Sequence, residues 1–504
     1  MTEPGKTDVV TDVTTINDQK DHADSTEDTT KDTKLYPQLI ACVIDINLKI
    51  IFLLIVNLTI LSSGLSYAWP SISLLSYQKR SSDFHLTSSE ESWVVSALPI
   101  GSCFGPIVSA LLVDRIGRKW YLYLTSIPFL ASWILIYYAK SWVYLFAARF
   151  LCGFPIGSYF AVVPLYLGEL VETRIRGAAS MTMGLLLNLG HMIVYGIGSF
   201  ADMQLVAIIC AVPTVLFILL LPWIPESPYY YLKKGNEKEA ELSLIWLRGT
   251  TNNKKEMKEI DEFINHEKHG DLKDLFTIPV HRKALLLLLL LLAGQQFSGM
   301  IAIQSFSGIL ITNMNLQLNT YMVLLILGAI SALSIGVAAF IIDRIGRKPL
   351  FLVSTYIVAI CVCILGTYFL LDKRGFKVQQ FSAIPLVAII VYYIALSLGL
   401  TSIPSVVSSE IFPMSVRSWA TAVANMYGAV LAVIVAKCYQ IVSDAWGNET
   451  IFYIFGGIEI VIATTAIFIM PETSRKSFMA IQEMLNGKTC NATKKEELSE
   501  AHVA

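Results

Sequence analysis

The sequence predicts an all-α membrane protein with twelve transmembrane helices in two six-helix pseudo-symmetric halves. Three observations carry that expectation. The 504 residues are 54% hydrophobic and only 15% charged, where a soluble protein carries about 25% charge. The apolar residues lie in long runs, which a soluble core does not require. A six-residue motif, Asp114–Lys119, recurs unchanged as Asp343–Lys348, 229 residues later.

A helix needs about 20 mostly apolar residues to cross the hydrocarbon, and it satisfies its own backbone there. Such runs fall at about 48–72, 93–113, 120–139, 143–166, 178–200, 204–222, 284–312, 321–342, 350–371, 383–407, 418–441 and 451–470. The first follows a long polar stretch and is too long for a signal-peptide core. Residues 1–45 read as a disordered cytoplasmic tail: the first 34 hold nine acids, four lysines and almost no large apolar side chains. The polar block 223–283, with eleven basic and eleven acidic residues, separates an N-terminal half (46–222) from a C-terminal half (284–470). Its spaced apolar positions, such as Leu244, Leu247, Ile260 and Ile264, suit amphipathic helices lying on the membrane surface. Residues 471–504 form a second cytoplasmic tail.

Lys and Arg in short loops set orientation. With both termini cytoplasmic, the inner loops hold Arg115, Arg118, Lys119, Arg174, Arg176, Arg344, Arg347, Lys348 and Arg417, and the outer loops hold fewer basic residues. The Asn448 sequon then falls in the last outer loop, open to glycosylation. The net charge of −1 argues against a nucleic-acid partner. The eight cysteines show no metal-ligand spacing, and no nucleophile, metal or nucleotide motif points to an enzyme or a cofactor.

The repeat extends beyond the first motif. Glu169 precedes Arg176 by seven residues, and Glu410 precedes Arg417 by the same spacing. Pro225-Glu226-Ser227 ends the first half and Pro471-Glu472-Thr473 the second. Three motif pairs in register imply duplicated halves with a substrate site between them. Carboxylates and guanidiniums at the inner helix ends suit a gate, because a planar Arg fork makes a tight pair that breaks and reforms. Asp114, Arg118, Asp343, Arg347, Glu169, Arg176, Glu410 and Arg417 are the candidate gate. The lysines are equally explained as topology signals, but the acids are not, since acids contribute little to orientation.

With the motifs Arg149–Gly153, Pro164–Glu169 and Gln295–Gly299, these residues resemble the sugar-porter branch of the major facilitator superfamily over about residues 45–480. Ser92-Trp93 followed by Pro99 is similar to the insect facilitated trehalose-transporter group within it. The resemblance implies pairing of Glu169 with Arg417 and of Arg176 with Glu410 when the carrier faces outward. It also implies that Arg149 lies near the outer end of span four and that Gln295 and Gln296 contact sugar. Asn188 occupies a family Gln position. By depth alone, all three amides sit near mid-membrane, where they serve either a sugar cavity or interhelical hydrogen bonding. Several family positions differ: Ile301, Ser305, Phe306, Ser331, Ser405 and Gly428 replace the usual amides and aromatics.

Proton-linked relatives carry an Asp where this chain has Ser66, and no acidic residue is expected deep within the spans. His191 is the one deep titratable candidate, more simply read as a helix-contact residue. The expected activity is facilitative (uniport) transport of trehalose or a hexose across the plasma membrane by alternating access, by a monomer, without cofactor or metal. The alternatives are a non-transporting sugar sensor and a carrier of a non-sugar solute on the same fold.

Overall fold

A computed structural model of the chain describes residues 51–78, 85–172, 176–250, 252–266, 272–314, 318–474, 476 and 478–486. The expected tail 1–45 and the end of the tail 471–504 lie outside them. The described residues are helical and contain no strand. Twelve long helices follow the hydropathy runs: α1 Ile51–Gln78, α2 Ser88–Ile116, α3 Arg118–Tyr137 and α4 Trp142–Leu170, α5 Arg176–Ile197, α6 Met203–Trp223, α7 Pro279–Ser305, α8 Thr320–Ile342, α9 Arg347–Lys373, α10 Ala383–Ile411, α11 Ser415–Trp446 and α12 Asn448–Ile469. Among the described residues, eleven of these are long and apolar enough to cross a membrane; α5 has a shorter apolar part, Met181–Ile197.

The chain between α6 and α7 folds into short helices, Pro228–Lys233, Glu237–Arg248, Lys254–His266 and Leu272–Thr277. Leu232, Ala240, Leu244 and Ile260 form a small core of their own there. Arg248 ties this unit to the bundle by donating to the Leu170 carbonyl at the end of α4 (3.0 Å).

Among residues 51–222, α2 and α3 pack closely on α4, and among residues 279–470, α9 packs on both α10 and α12. Between residues 51–222 and 279–470, the main contacts are α5 on α8 and α2 on α11. Both motif glycines sit in the left-handed region, Gly117 at φ +103° and Gly346 at φ +98°, a conformation that favours Gly. Each turn reverses the chain between helices (α2 to α3, α8 to α9), so the motif lies at one end of the bundle, called here the motif end.

Two helices are interrupted at mid-length. α7 breaks after Phe297: Gly299 takes φ +81°, and the helix restarts at Met300. α10 carries a π-helical turn over Leu396–Leu400, a feature found mostly at functional sites.

Candidate functional site

At the motif end, the two copies of the motif build the same clasp from equivalent atoms. Glu226 accepts the backbone N–H groups of Arg118 (3.0 Å) and Lys119 (3.0 Å). Glu472 accepts those of Arg347 (3.0 Å) and Lys348 (3.1 Å). A carboxylate at a helix start satisfies orphan donors and complements the dipole. The lysines do equivalent work as well: Lys119 Nζ donates to the Pro222 carbonyl (2.8 Å) and Lys348 Nζ to the Ile467 carbonyl (2.7 Å). Both cap the carbonyl end of the last helix of their half, a structural role that loop charge counting does not reveal.

The arginines of the motif hold the gate acids. Arg118 Nε lies 2.9 Å from Glu169 Oε2 and its Nη1 lies 3.1 Å from Asp114. Arg347 Nη2 lies 2.9 Å from Glu410 Oε1, and Thr473 donates to Glu410 Oε2 at 2.6 Å. Asp114 is also paired with Lys233 (2.8 Å). Glu169 and Glu410 are thus each held by the arginine of the motif copy nearest in sequence. Arg417 donates to the Phe412 carbonyl (3.0 Å), and its Nε is buried without a hydrogen-bond partner. The Glu169–Arg417 pair implied for the outward-facing state is therefore not formed in this conformation. Glu410 is held by Arg347; the expected Arg176–Glu410 pair and Asp343 involve side chains that lie outside the described residues.

The electrostatics of the two clasps differ. Burial pushes the Glu226 carboxyl above the ordinary carboxylate range, against the lowering effect of the N–H groups of Ser227, Lys119 and Arg118 and of the Arg118 charge. Glu472 is also raised by burial, but the N–H groups of Ser474, Arg347, Lys348 and Thr473 outweigh it and hold the carboxyl below that range.

At mid-bundle, Gln295 and Gln296 are half-buried and stand just before the α7 break. Gly428 on α11 faces Gln296: a Cβ there would lie 3.9 Å from Gln296 Nε2. The missing family Asn thus leaves space directly beside a candidate ligand. Asn188 is buried, and its amide N–H donates back to the Gly184 carbonyl (2.9 Å). One turn on, His191 Nε2 lies 2.9 Å from Gln304 Nε2 on the second segment of α7, so His191 is a helix-contact residue joining α5 to α7. Gln304 escaped the sequence reading because it lies beyond the glutamine motif. Phe306 stacks on Tyr439 with ring centroids 5.1 Å apart.

Near the other end, Arg149 is buried on α4 and donates to the Ser66 carbonyl (2.5 Å) and hydroxyl (3.2 Å) on α1. Its guanidinium also lies 5.7 Å from the Trp69 ring centre. Serine therefore occupies the place of a carboxylate against this arginine. Nearer that end, Lys437 of α11 contacts Ser92 and Trp93 of α2. Asn448 starts α12, and its side-chain oxygen accepts from Ser443.

One expectation is overturned. Glu459, halfway along α12, is a deep acidic residue: it is 0% exposed and neither carboxylate oxygen has a hydrogen-bond partner. A single acid barely lowers the hydropathy of Phe455–Phe468, so the run reads as a span and hides it. Lys437, inside the run 418–441, is hidden in the same way.

A bundle of long apolar helices, with duplicated charged clasps at one end and amides beside a broken helix at its middle, defines a multi-pass membrane transporter. The family model for sugar (and other) transporters matches residues 18–485, and the chain belongs to that family, the sugar-porter branch of the major facilitator superfamily. It is 30% identical over 446 residues to facilitated trehalose transporter Tret1 of Apis mellifera ligustica, covering 87% of this chain and 88% of that one. With Tret1 of Polypedilum vanderplanki it shares 30% over 430 residues, 84% of this chain and 85% of that one. The match to Tret1 of Aedes aegypti, 29% over 446 residues and 87% of this chain, spans only 55% of that relative's length. Among solved structures, the inward-open form of the xylose transporter XylE from E. coli superposes with a TM-score of 0.73 at 21% identity. That alignment covers 86% of this chain and 99% of that one.

Proposed function

We propose that this protein is a facilitative sugar carrier, a uniporter moving trehalose or a hexose across the plasma membrane. In this reading it has twelve spans in two six-helix halves, with both termini cytoplasmic. The observation that carries it is the equivalence of the two clasps, Arg118–Glu169 and Arg347–Glu410. Two halves carrying the same releasable lock suit a carrier that rocks one half against the other. Arg417, with its Nε unpartnered, is the group to which Glu169 transfers when the motif end closes. Gln295 and Gln296, with Asn188, supply the amide donors and acceptors that sugar hydroxyls need. The trehalose reading draws on the relatives named above.

Transport runs down the solute gradient, because the arginine of α4 donates to the carbonyl and hydroxyl of Ser66 and is not paired with a titratable acid. The space left by Gly428 beside Gln296 favours a second reading, a sensor that binds sugar weakly and does not turn over.

The test is uptake of labelled trehalose, glucose and a non-sugar panel into proteoliposomes, with and without a proton gradient. Saturable sugar uptake that reaches the same final distribution with and without that gradient is the expected result. Uptake that rises steeply with an imposed gradient at fixed sugar, and falls in H191Q, overturns the uniport reading. Sugar binding without uptake identifies the sensor.

A further inference from the structure

The unpartnered carboxyl of Glu459 has no role in the machinery described above, yet it stands against the mechanical weak point of α7. α12 presents Phe455 and Glu459, four residues apart and so on one face, to the two glycines that flank the break. A Cβ on Gly299 would meet Phe455 Cδ2 and Cε2 at 2.7 Å, and a Cβ on Gly294 would lie 3.9 Å from Glu459 Oε2. Gly294 is immediately followed by Gln295 and Gln296. On the α10 side, the fully buried Tyr392 donates its hydroxyl to the carbonyl of Ser298 (3.2 Å), the residue at the break itself. Gly294 and Ser298 are four residues apart on α7, so Glu459 and the Tyr392 hydroxyl stand against adjacent points of one helix face.

Among the described residues, the remaining surroundings offer no counter-charge. α9 brings Phe351 to Gly294, Cys363 to Gly456, and Cys361 to the neighbourhood of Tyr392. α10 contributes Tyr392, with Tyr393 beside it. α11 contributes Tyr439, which packs on Phe452, and Tyr427, while its Lys437 is turned to Trp93. The titratable groups of α7, His281, Arg282 and Lys283, lie about three turns away at its start. On α12 itself, Glu449 is ten residues off and paired with Lys373. An ionised carboxylate in such a place is costly unless it is paired or hydrogen-bonded.

We propose that Glu459 is a proton-binding site whose occupancy sets the conformation of the α7 break and thereby the position of Gln295 and Gln296. With the proton on Glu459, the single hydroxyl proton of Tyr392 serves the Ser298 carbonyl and the break is held. When the carboxyl releases its proton to solvent, the resulting carboxylate draws the Tyr392 O–H to itself. Ser298 then loses its donor and the break loosens. Only one O–H bond is broken, at Glu459; Tyr392 keeps its proton and changes acceptor. The consequence for uptake rests on the sugar-carrier reading, but the proton site does not.

The experiment compares wild type, E459Q and Y392F as full chains in proteoliposomes, at equal pH on both sides. Difference infrared spectroscopy reads the proton itself, through the carbonyl band of a protonated carboxylic acid. That band is expected in wild type and Y392F and absent in E459Q. Mass-spectrometric hydrogen exchange over residues 296–303, corrected for intrinsic chemistry, reads the break. It is expected to rise about tenfold in wild type between about pH 5 and about pH 9, and to stay flat in E459Q and Y392F. Trehalose uptake is expected to follow the exchange. Absence of the Glu459 band at every pH overturns the site. Equal pH dependence of exchange in all three proteins overturns the coupling to the break. Y392F leaves the acid in place, so it tests the coupling independently of how E459Q folds. If the band and the exchange behave as expected while no sugar is taken up, the proton site stands and the sugar reading fails.

Discussion

Lys437 Nζ on α11 lies 3.4 Å from the centre of the Trp93 ring on α2 and donates to Ser92 Oγ at 2.8 Å. The two residues belong to different halves and meet at the end of the bundle opposite the clasps. At the motif end Glu169 is held by Arg118 and Glu410 by Arg347. The conformation described is therefore joined across the halves at one end, with the Glu169–Arg417 pair at the other end unmade.

Removing this cross-half contact is expected to favour the alternative conformation. A cation–π contact contributes about 0.5–2 kcal/mol, so K437M and W93A should each shift the population about 2- to 30-fold. Spin-label distances between α2 and α11 near these residues check it. Unchanged distance distributions in both variants would remove the latch from the mechanism.

The gate acids are held by charge-assisted hydrogen bonds worth about 1.5–3 kcal/mol each. E410Q and R417A should slow uptake about ten- to a hundredfold while changing equilibrium sugar binding much less. Paired uptake and binding isotherms make the measurement; unaltered transport in both variants would sink the gate assignment.

Q295A combined with Q296A should abolish saturable sugar uptake, because each truncation leaves sugar hydroxyls without their partners. If uptake survives with the same apparent affinity, the sugar site lies elsewhere.

The two clasps should respond to pH in opposite senses. Glu472 is held below the ordinary carboxylate range, so its contribution is present at neutral pH and is lost as pH falls through its own value. Glu226 is held above that range, so its contribution is present in acid and is lost as pH rises through its raised value. Thermal unfolding in detergent across pH should show E472Q flattening the acid limb and E226Q flattening the limb above it.

Gly346→Ala should destabilise the second half by about 1–2 kcal/mol or more, since a side chain in the left-handed region is strained. The new Cβ would also stand 2.8 Å from Glu472 Oε2. Melting temperature against wild type reads the loss. An unchanged value would mean that the motif turn relaxes freely.

Much of this architecture was legible in the chain. Apolar runs located α1–α12 to within a few residues of the ends found, because a span must be long, apolar and self-satisfied in backbone hydrogen bonds. The repeated motifs singled out the candidate gate residues because chemistry that occurs twice in register stands out against any single loop. Gln295 and Gln296 were legible for a similar reason, as amides that the hydrocarbon tolerates poorly.

What escaped was of a different kind. Glu459 and Lys437 were diluted by their apolar neighbours, and Gln304 carried no motif. Tyr392 looked like any aromatic of a buried helix until its hydroxyl was found on the Ser298 carbonyl. The sequence by itself determined that this chain spans a membrane, that its scarce charge is arranged in duplicate, and where the amides lie along their helices. Those properties are set by local composition and spacing. Only the tertiary structure decided which acid each arginine holds, that Lys437 reaches Trp93 across the halves, and that the acid of α12 stands behind the break in α7. Side chains fifty to several hundred residues apart meet only when helices pack, and no one-dimensional pattern records which faces are brought together.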